Sequence, residues 1–190
     1  MGRTWSDDAE LGKGLHWLMP PLLALLLAGL PSELAASEGL SQHSTAFSHN
    51  GTIPKRHTCQ GDDISPPLRW RDVPSGAKSL VLIVDDPDAP KVTWVHWVLY
   101  NLPAETGGLP TAVMSKDLPA GTEEALNSWG RVGYGGPCPP IGRHRYFFKL
   151  YALDTRLDGL PKQDKDAIVE AMQGHIVEET QLMETYQKAR

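Results

Sequence analysis

Two histidines and two carboxylates occupy positions where strand ends and turns could bring them together. Asp86 and Asp88 lie in the turn-like segment 85–90, His96 follows in an aromatic run, and His144 with Tyr146 opens a later one. A carboxylate beside an imidazole favours the charged ring, and two such rings would offer N–H donors to an anion. Trp94, two residues before His96, would supply a flat apolar wall. Ahead of His144 runs Gly133-Tyr-Gly-Gly-Pro-Cys-Pro-Pro-Ile-Gly142. Glycines there allow positive φ and prolines fix φ, so this is a shaped loop. Its backbone N–H groups could form a nest for phosphate or carboxylate oxygens. The same groups could instead serve catalysis, with a histidine as general base and loop amides at an oxyanion. Each feature also has a plainer reading. Asp-Pro-Asp is ordinary turn chemistry, a single histidine in an aromatic strand is often a satisfied core residue, and His144-Arg145 could be a surface pair. Their combination at strand ends reads as a site.

The elements that must position these groups are strands. Residues 79–84 are a continuous aliphatic run, too short for a helix and suited to a buried strand. Residues 93–100 are rich in β-branched and aromatic types. Alternation there places Trp94, His96, Val98 and Tyr100 on one face and Val95, Trp97 and Leu99 on the other. Residues 144–153 alternate again, with His144, Tyr146, Phe148 and Leu150 sharing a face and Arg145 turned away. After Pro161, the residues Ile168, Met172, Ile176, Met183 and Tyr186 fall near helical spacing. That pattern predicts an amphipathic helical end, divided into two helices at Gly174.

Composition supports one globular domain. The chain has 190 residues, 41% hydrophobic and 22% charged, which argues against disorder. Its 18 Gly and 16 Pro suit many short strands better than a helical bundle. A net charge of −5 without a dense Lys/Arg cluster argues against a nucleic-acid or anionic-membrane binder. The uncharged apolar run at 15–30 is shorter than the roughly 20 residues of a membrane-spanning helix. With Lys13 before it and Ala35-Ala36-Ser37 after it, residues 1–36 read as a signal peptide, although Asp7, Asp8 and Glu10 make the leader acidic. The membrane would then be met only through that segment. Residues 37–190 form the single domain, exported to the periplasm or, in the alternative, cytoplasmic.

Several spaced motifs carry a family resemblance. Asp86-Pro-Asp-Ala-Pro90, Trp94-x-His96 followed by Asn101, and Gly142-x-His-Arg-Tyr146 resemble the signature regions of the phosphatidylethanolamine-binding proteins, in their bacterial Raf-kinase-inhibitor-like branch. Thr58-Cys-Gln-Gly-Asp-Asp-Ile-Ser-Pro-Pro-Leu-x-Trp70 and the 133–140 loop add to it. The resemblance implies a mostly β fold, a large antiparallel sheet packed on a smaller one, with C-terminal helices and a small anion pocket at one end. By motif match, Asp86 is the pocket carboxylate, Asp88 supports the turn and Pro90 shapes the mouth. His96 and His144 are the pocket histidines, Trp94 a wall and Tyr146 a hydroxyl donor, while Gly136-Pro137 closes the rim. Arg145 would brace the loop.

The resemblance also brings the loops of Cys59 and Cys138 towards one end. An exported chain could close them into a disulfide, worth about 4 kcal/mol through chain entropy, the alternative being two buried free thiols. Neither Cys sits in a close Cys/His pair, so no metal is expected, and no cofactor. The favoured reading is a non-enzymatic binder of a small anionic ligand or phosphorylated headgroup. The chief alternative is a hydrolase or transferase acting on a phosphate or acyl ester. No Gly-x-Ser-x-Gly elbow is present to support it. By resemblance alone, a kinase or protease inhibitor is a third reading. An exposed edge strand could pair two copies in a homodimer.

Overall fold

An all-aliphatic strand needs cover on both faces, and that requirement organises the molecule. The computed structural model describes residues 39–160 and 163–189; the signal peptide read at 1–36 lies outside the described residues. The strands are β1 (Ser41–His43), β2 (Leu68–Arg71), β3 (Ser79–Asp86), β4 (Trp94–Pro103), β5 (Gly108–Leu109), β6 (Glu123–Glu124), β7 (Arg143–Leu153) and β8 (Ile176–Gln187). One α-helix is present among the described residues, α1 (Lys165–Met172), capped by the Asp164 carboxylate accepting from the Ala167 N–H. The strands form a five-stranded antiparallel sheet in the order β6-β4-β3-β7-β8 and a three-stranded sheet in the order β1-β2-β5.

Every residue of β3 is buried. On one face Leu80, Leu82 and Val84 pack with Phe148 and Leu150 of β7 and with Leu68, Trp70 and Leu109 of the small sheet. On the other, Val81 and Ile83 meet Val98 and Tyr100 of β4 and Ile168 and Met172 of α1. Three layers result: small sheet, large sheet, helix. Each aliphatic side chain removed from water here contributes roughly 1.5–3 kcal/mol, so the run at 79–84 belongs at the centre. No helix among the described residues is long and apolar enough to cross a membrane.

Two details depart from the sequence reading. The second C-terminal helix is a strand. Beyond Gly174, at φ 80°, the chain reverses and β8 pairs antiparallel with β7 from Arg143 opposite Gln187 to Leu153 opposite Ile176. Leu182, Glu184 and Tyr186 are buried in alternation, so the period here is two. Met183 and Tyr186, three apart as in a helix, fall on opposite faces of β8.

The alternation in β4 is also broken. Val84 faces Trp97 while Asp85 faces Val95, so β4 carries an extra residue against β3, a bulge at His96. It places His96 on the side of Trp97 and Leu99, whereas Val98 and Tyr100 face α1. The expected face-sharing of His96 with Val98 and Tyr100 is therefore wrong. His96 keeps the face of Trp94, and the bulge re-aims the strand that follows it.

Candidate ligand-binding site

The antiparallel pairing of β3 with β4 and β7 gathers the end of β3, the start of β4 and the start of β7 at one end of the large sheet. Asp86, from β3, and His144, from β7, are both buried and meet directly, His144 Nδ1 lying 2.7 Å from Asp86 Oδ2. The other Asp86 oxygen accepts from the Asp88 N–H at 2.8 Å, which closes the turn after β3. His144 Nε2 faces the Ile141 carbonyl at 3.1 Å. Both nitrogens thus lie against oxygen atoms.

Asp88 points away from His144 and accepts from Arg145 three times, from the backbone N–H and Nε at 2.9 Å and from a terminal nitrogen at 2.7 Å. The Arg145 guanidinium holds the Asp88 carboxyl down at about 2. Arg145 thereby braces the turn from outside.

His96 differs from His144 in every respect but burial. Its Nδ1 lies 2.6 Å from the Gly135 carbonyl, which can only accept, so Nδ1 carries the hydrogen. The Gly135 N–H returns a bond to the His96 carbonyl at 3.0 Å. Burial lowers the pKa of this ring, outweighing the Gly135 bond and the carboxylates of Asp86, Asp85 and Asp63, which raise it. A neutral ring protonated on Nδ1 leaves Nε2 a bare acceptor, and Nε2 is buried without a partner. His96 therefore presents an acceptor where the sequence reading expected a donor, while the His144 nitrogens face Asp86 and Ile141. The Gly135 carbonyl on Nδ1 makes the difference, and burial keeps the His96 ring neutral. Beside His96, the Tyr146 ring stands edge-on at 5.2 Å, its hydroxyl buried and also without a partner. Burial first, and the Asp86 charge second, hold that phenol protonated.

These groups border a cavity of about 370 Å³. Asp86, His96 and His144 supply its polar wall; Ala89, Pro90, Trp94, Trp129, Cys138, Pro139 and Pro140 complete it. The lining includes no Lys or Arg. A wider depression of about 680 Å³ near Thr93, Ser128 and Asp164 gathers no imidazole. Trp129 crosses Trp94 and His96 edge-on at 5.3 and 5.2 Å, and Asn127 fixes its loop by accepting from the Trp129 N–H and donating to the Gly133 carbonyl.

Two of the glycine amides of the Gly/Pro loop are not available for a nest. The Gly135 N–H is engaged by His96, the Gly136 N–H donates to Asp63 Oδ1 at 2.6 Å, and three prolines bring no donor. Glycine is required at 135 and 136 by close approach: a Cβ at 135 would lie 2.5 Å from the Trp129 ring, and one at 136 would lie 2.5 Å from the His57 carbonyl. Cys59 and Cys138 are joined in a disulfide with Cα atoms 5.4 Å apart, and both residues are exposed. Closing a loop of that span corresponds to about 4.5 kcal/mol in the chain-entropy picture.

A sequence model of the family described as phosphatidylethanolamine-binding protein matches residues 43–187. The chain belongs to the phosphatidylethanolamine-binding protein family. Among curated members, it is 51% identical over 144 residues to a UPF0098 protein of Methanothermobacter thermautotrophicus, covering 75% of this chain and 95% of that one. A UPF0098 protein of Aquifex aeolicus is 45% identical over 148 residues, covering 76% and 86%. Two crystal structures share the fold. One, from Chlamydia trachomatis, is described as a candidate phosphatidylethanolamine-binding protein homologue; it has a TM-score of 0.74 and 43% identity over 80% of this chain and 99% of its own. The other, from E. coli, is described as a new member of the mammalian family, with a TM-score of 0.73 and 29% identity over 79% and 99%.

Within this family fold, Asp86, Pro90, Trp94, His96 and His144 line the cavity. Asp88 lies outside, with Arg145, and Tyr146 stands behind His96. Gly136 and Pro137 pack behind the wall against residues 57–63, and the rim is formed instead by Cys138, Pro139 and Pro140. Asn101 is remote from the cavity, its side chain bonded to both the N–H and the carbonyl of Leu157. Trp129 escaped the sequence reading because it lies in a loop without periodicity. Its one signal was a tryptophan set between Asn127-Ser128 and Gly130, where a turn leaves an aromatic ring unpartnered by any strand.

Proposed function

We propose that this family member is a non-catalytic binding protein for a small oxyanion, phosphate- or carboxylate-bearing, held at the Asp86–His144 end of the large sheet. One observation carries the reading: a cavity with aromatic and proline walls is bordered by buried polar groups, of which His96 Nε2 has no partner within the protein. Buried polar atoms left unpaired cost free energy, and a ligand is one way to recover it. His144 Nε2–H, turned from the Ile141 carbonyl, would serve as donor to the ligand.

The hydrolase or transferase reading draws support from the His144–Asp86 pair at 2.7 Å, the geometry of an oriented general base. Against it, the lining contains no Ser or Thr, and its one cysteine is held in the disulfide. Export fits the binder reading. An exposed disulfide persists in an oxidising compartment, and the apolar run at 15–30 would direct the chain there.

Calorimetric titration with phosphate and phosphoryl headgroups tests the proposal on wild type, Asp86→Ala and His144→Ala. Each variant should lose at least about tenfold in affinity, roughly 1.4 kcal/mol. Equal binding in all three proteins would end the pocket assignment. Turnover of an activated phosphate or acyl ester, abolished in His144→Ala, would establish the enzyme instead.

A further inference from the structure

The hydrogen-bonding polarity of the cavity restricts the protonation state of what enters it. An oxyanion has acceptor atoms only, yet two polar groups of the wall are acceptors as well. Asp86 is a carboxylate, already holding the His144 ring and the Asp88 N–H. His96 Nε2 presents a lone pair, because Nδ1–H is committed to Gly135. The donors are His144 and, behind His96, the Tyr146 hydroxyl. No Lys or Arg in the lining offsets a second negative charge. A fully ionised phosphomonoester would therefore set an oxygen lone pair against the His96 lone pair, inside walls made largely of tryptophan and proline. Two acceptors facing each other in a dry site are repulsive, and a proton between them converts the clash into a hydrogen bond.

We infer that the cavity takes its oxyanion together with one proton, which lies between a ligand oxygen and His96 Nε2, and that its preferred ligand is a phosphomonoester in its monoanionic form. The inference rests on the anion-pocket reading above. The stoichiometry is protein + dianion + H⁺ → protein·monoanion, with no bond to phosphorus formed or broken. The titratable and charged groups around the His96 ring are Asp85 and Asp86 from β3, His144 and Tyr146 from β7, and Asp63 from the loop bonded to Gly136. The carboxylates can only accept and the His144 nitrogens are engaged, while the Tyr146 hydroxyl, the one unengaged donor among them, makes no hydrogen bond to Nε2, which leaves the ligand as the source of that hydrogen. A phosphodiester, the form found in lipid headgroups, has no acidic hydrogen to bring at neutral pH. It would have to be matched by placing the proton on a ring that burial keeps neutral.

Calorimetry of the full chain with glycerol phosphate, in buffers of different ionisation enthalpy, reads the proton directly. Phosphomonoesters lose their second proton with a pKa of about 6. At pH 8 the measured uptake should approach one proton per ligand bound, and it should shrink towards zero at pH 5.5. Affinity for total phosphomonoester should fall about tenfold per pH unit above pH 7. Dimethyl phosphate, the diester arm, should bind at least tenfold more weakly at pH 6 than glycerol phosphate. In His96→Gln the amide can donate to the dianion, so the uptake at pH 8 should vanish and the fall in affinity above pH 7 should flatten. Binding of glycerol phosphate without proton uptake in wild type overturns the inference and leaves the pocket assignment standing. So does dimethyl phosphate binding as tightly as the monoester. Absence of binding by both probes across pH 5.5–8 removes the pocket assignment itself. The wild-type uptake measurement stands even if His96→Gln fails to fold.

Discussion

Asp85 and Asp86 are neighbours in β3, and the pleat sends them to opposite faces of the large sheet. Asp85 is fully buried on the α1 side, with Lys149 Nζ at 2.9 Å and Lys165 Nζ at 2.6 Å. Asp86 is buried on the other face, with His144 as its partner and a cavity beside it. The first carboxylate is enclosed by two permanent cations and has nothing left to offer a ligand. The second is paired with an imidazole whose other nitrogen lies against a backbone carbonyl beside the cavity. Residue type and burial are the same. Under the proposed function, the binding face is the one where open space adjoins the carboxylate.

The contrast can be broken most severely at Asp85. Asp85→Ala leaves two lysines facing each other without a counter-charge; both retain some solvent contact, so the cost should be about 3 kcal/mol of unfolding free energy, measured by denaturant titration. Ligand affinity of the folded fraction should stay within about twofold. A large loss of affinity with unchanged stability would reverse the roles assigned to the two aspartates.

Glu184 sharpens the comparison from the opposite direction, being a fully buried carboxyl whose two oxygens have no hydrogen-bond partner. Burial pushes it up to about 8. Its folded pKa is above the unfolded one, so the native state binds the extra proton. Its contribution is intact below about pH 4.5 and is lost as pH rises towards 8. Glu184→Gln should therefore flatten the decline of stability between pH 5 and 8. The variant should exceed wild type in stability at pH 8, read as a melting temperature higher at pH 8 and little changed at pH 5. Parallel pH profiles for the two proteins would show that Glu184 is solvated or paired after all.

The smallest effect is reserved for the exposed pair. Asp88→Asn removes one end of the Arg145 bridge, and solvent screening limits the loss to about 0.5 kcal/mol. The Asp88 pKa is depressed in the folded state, so this contribution is present above about pH 4 and disappears as pH falls through about 2. A loss comparable to that of Asp85→Ala would mean that the turn, and not the ion pair, depends on this side chain.

Strands β3, β4 and β7 were legible because their signals are local. An unbroken aliphatic run and two alternating aromatic runs have few ways to be buried. β8 was not, since its Glu, Gln and Met residues suit a helix and its pairing partner is set by β7, across a chain reversal. The residue types of the site were legible as well: Asp86, His96 and His144 line one cavity. Their hydrogen-bond roles were not, because the atom that orients His96 is the carbonyl of Gly135, in a segment that the sequence showed only as a shaped loop.

The sequence by itself determined which groups could do chemistry and that strand ends would hold them, since side-chain type and period are properties of short stretches of chain. Tertiary structure decided that the β4 bulge turns Trp97 and Leu99 to the side of His96 and that the Gly135 and Gly136 amides are consumed internally. It also decided that one histidine donates while the other accepts. Those outcomes depend on desolvation and on partners brought close only by folding, and a lone pair's availability is a property of its surroundings.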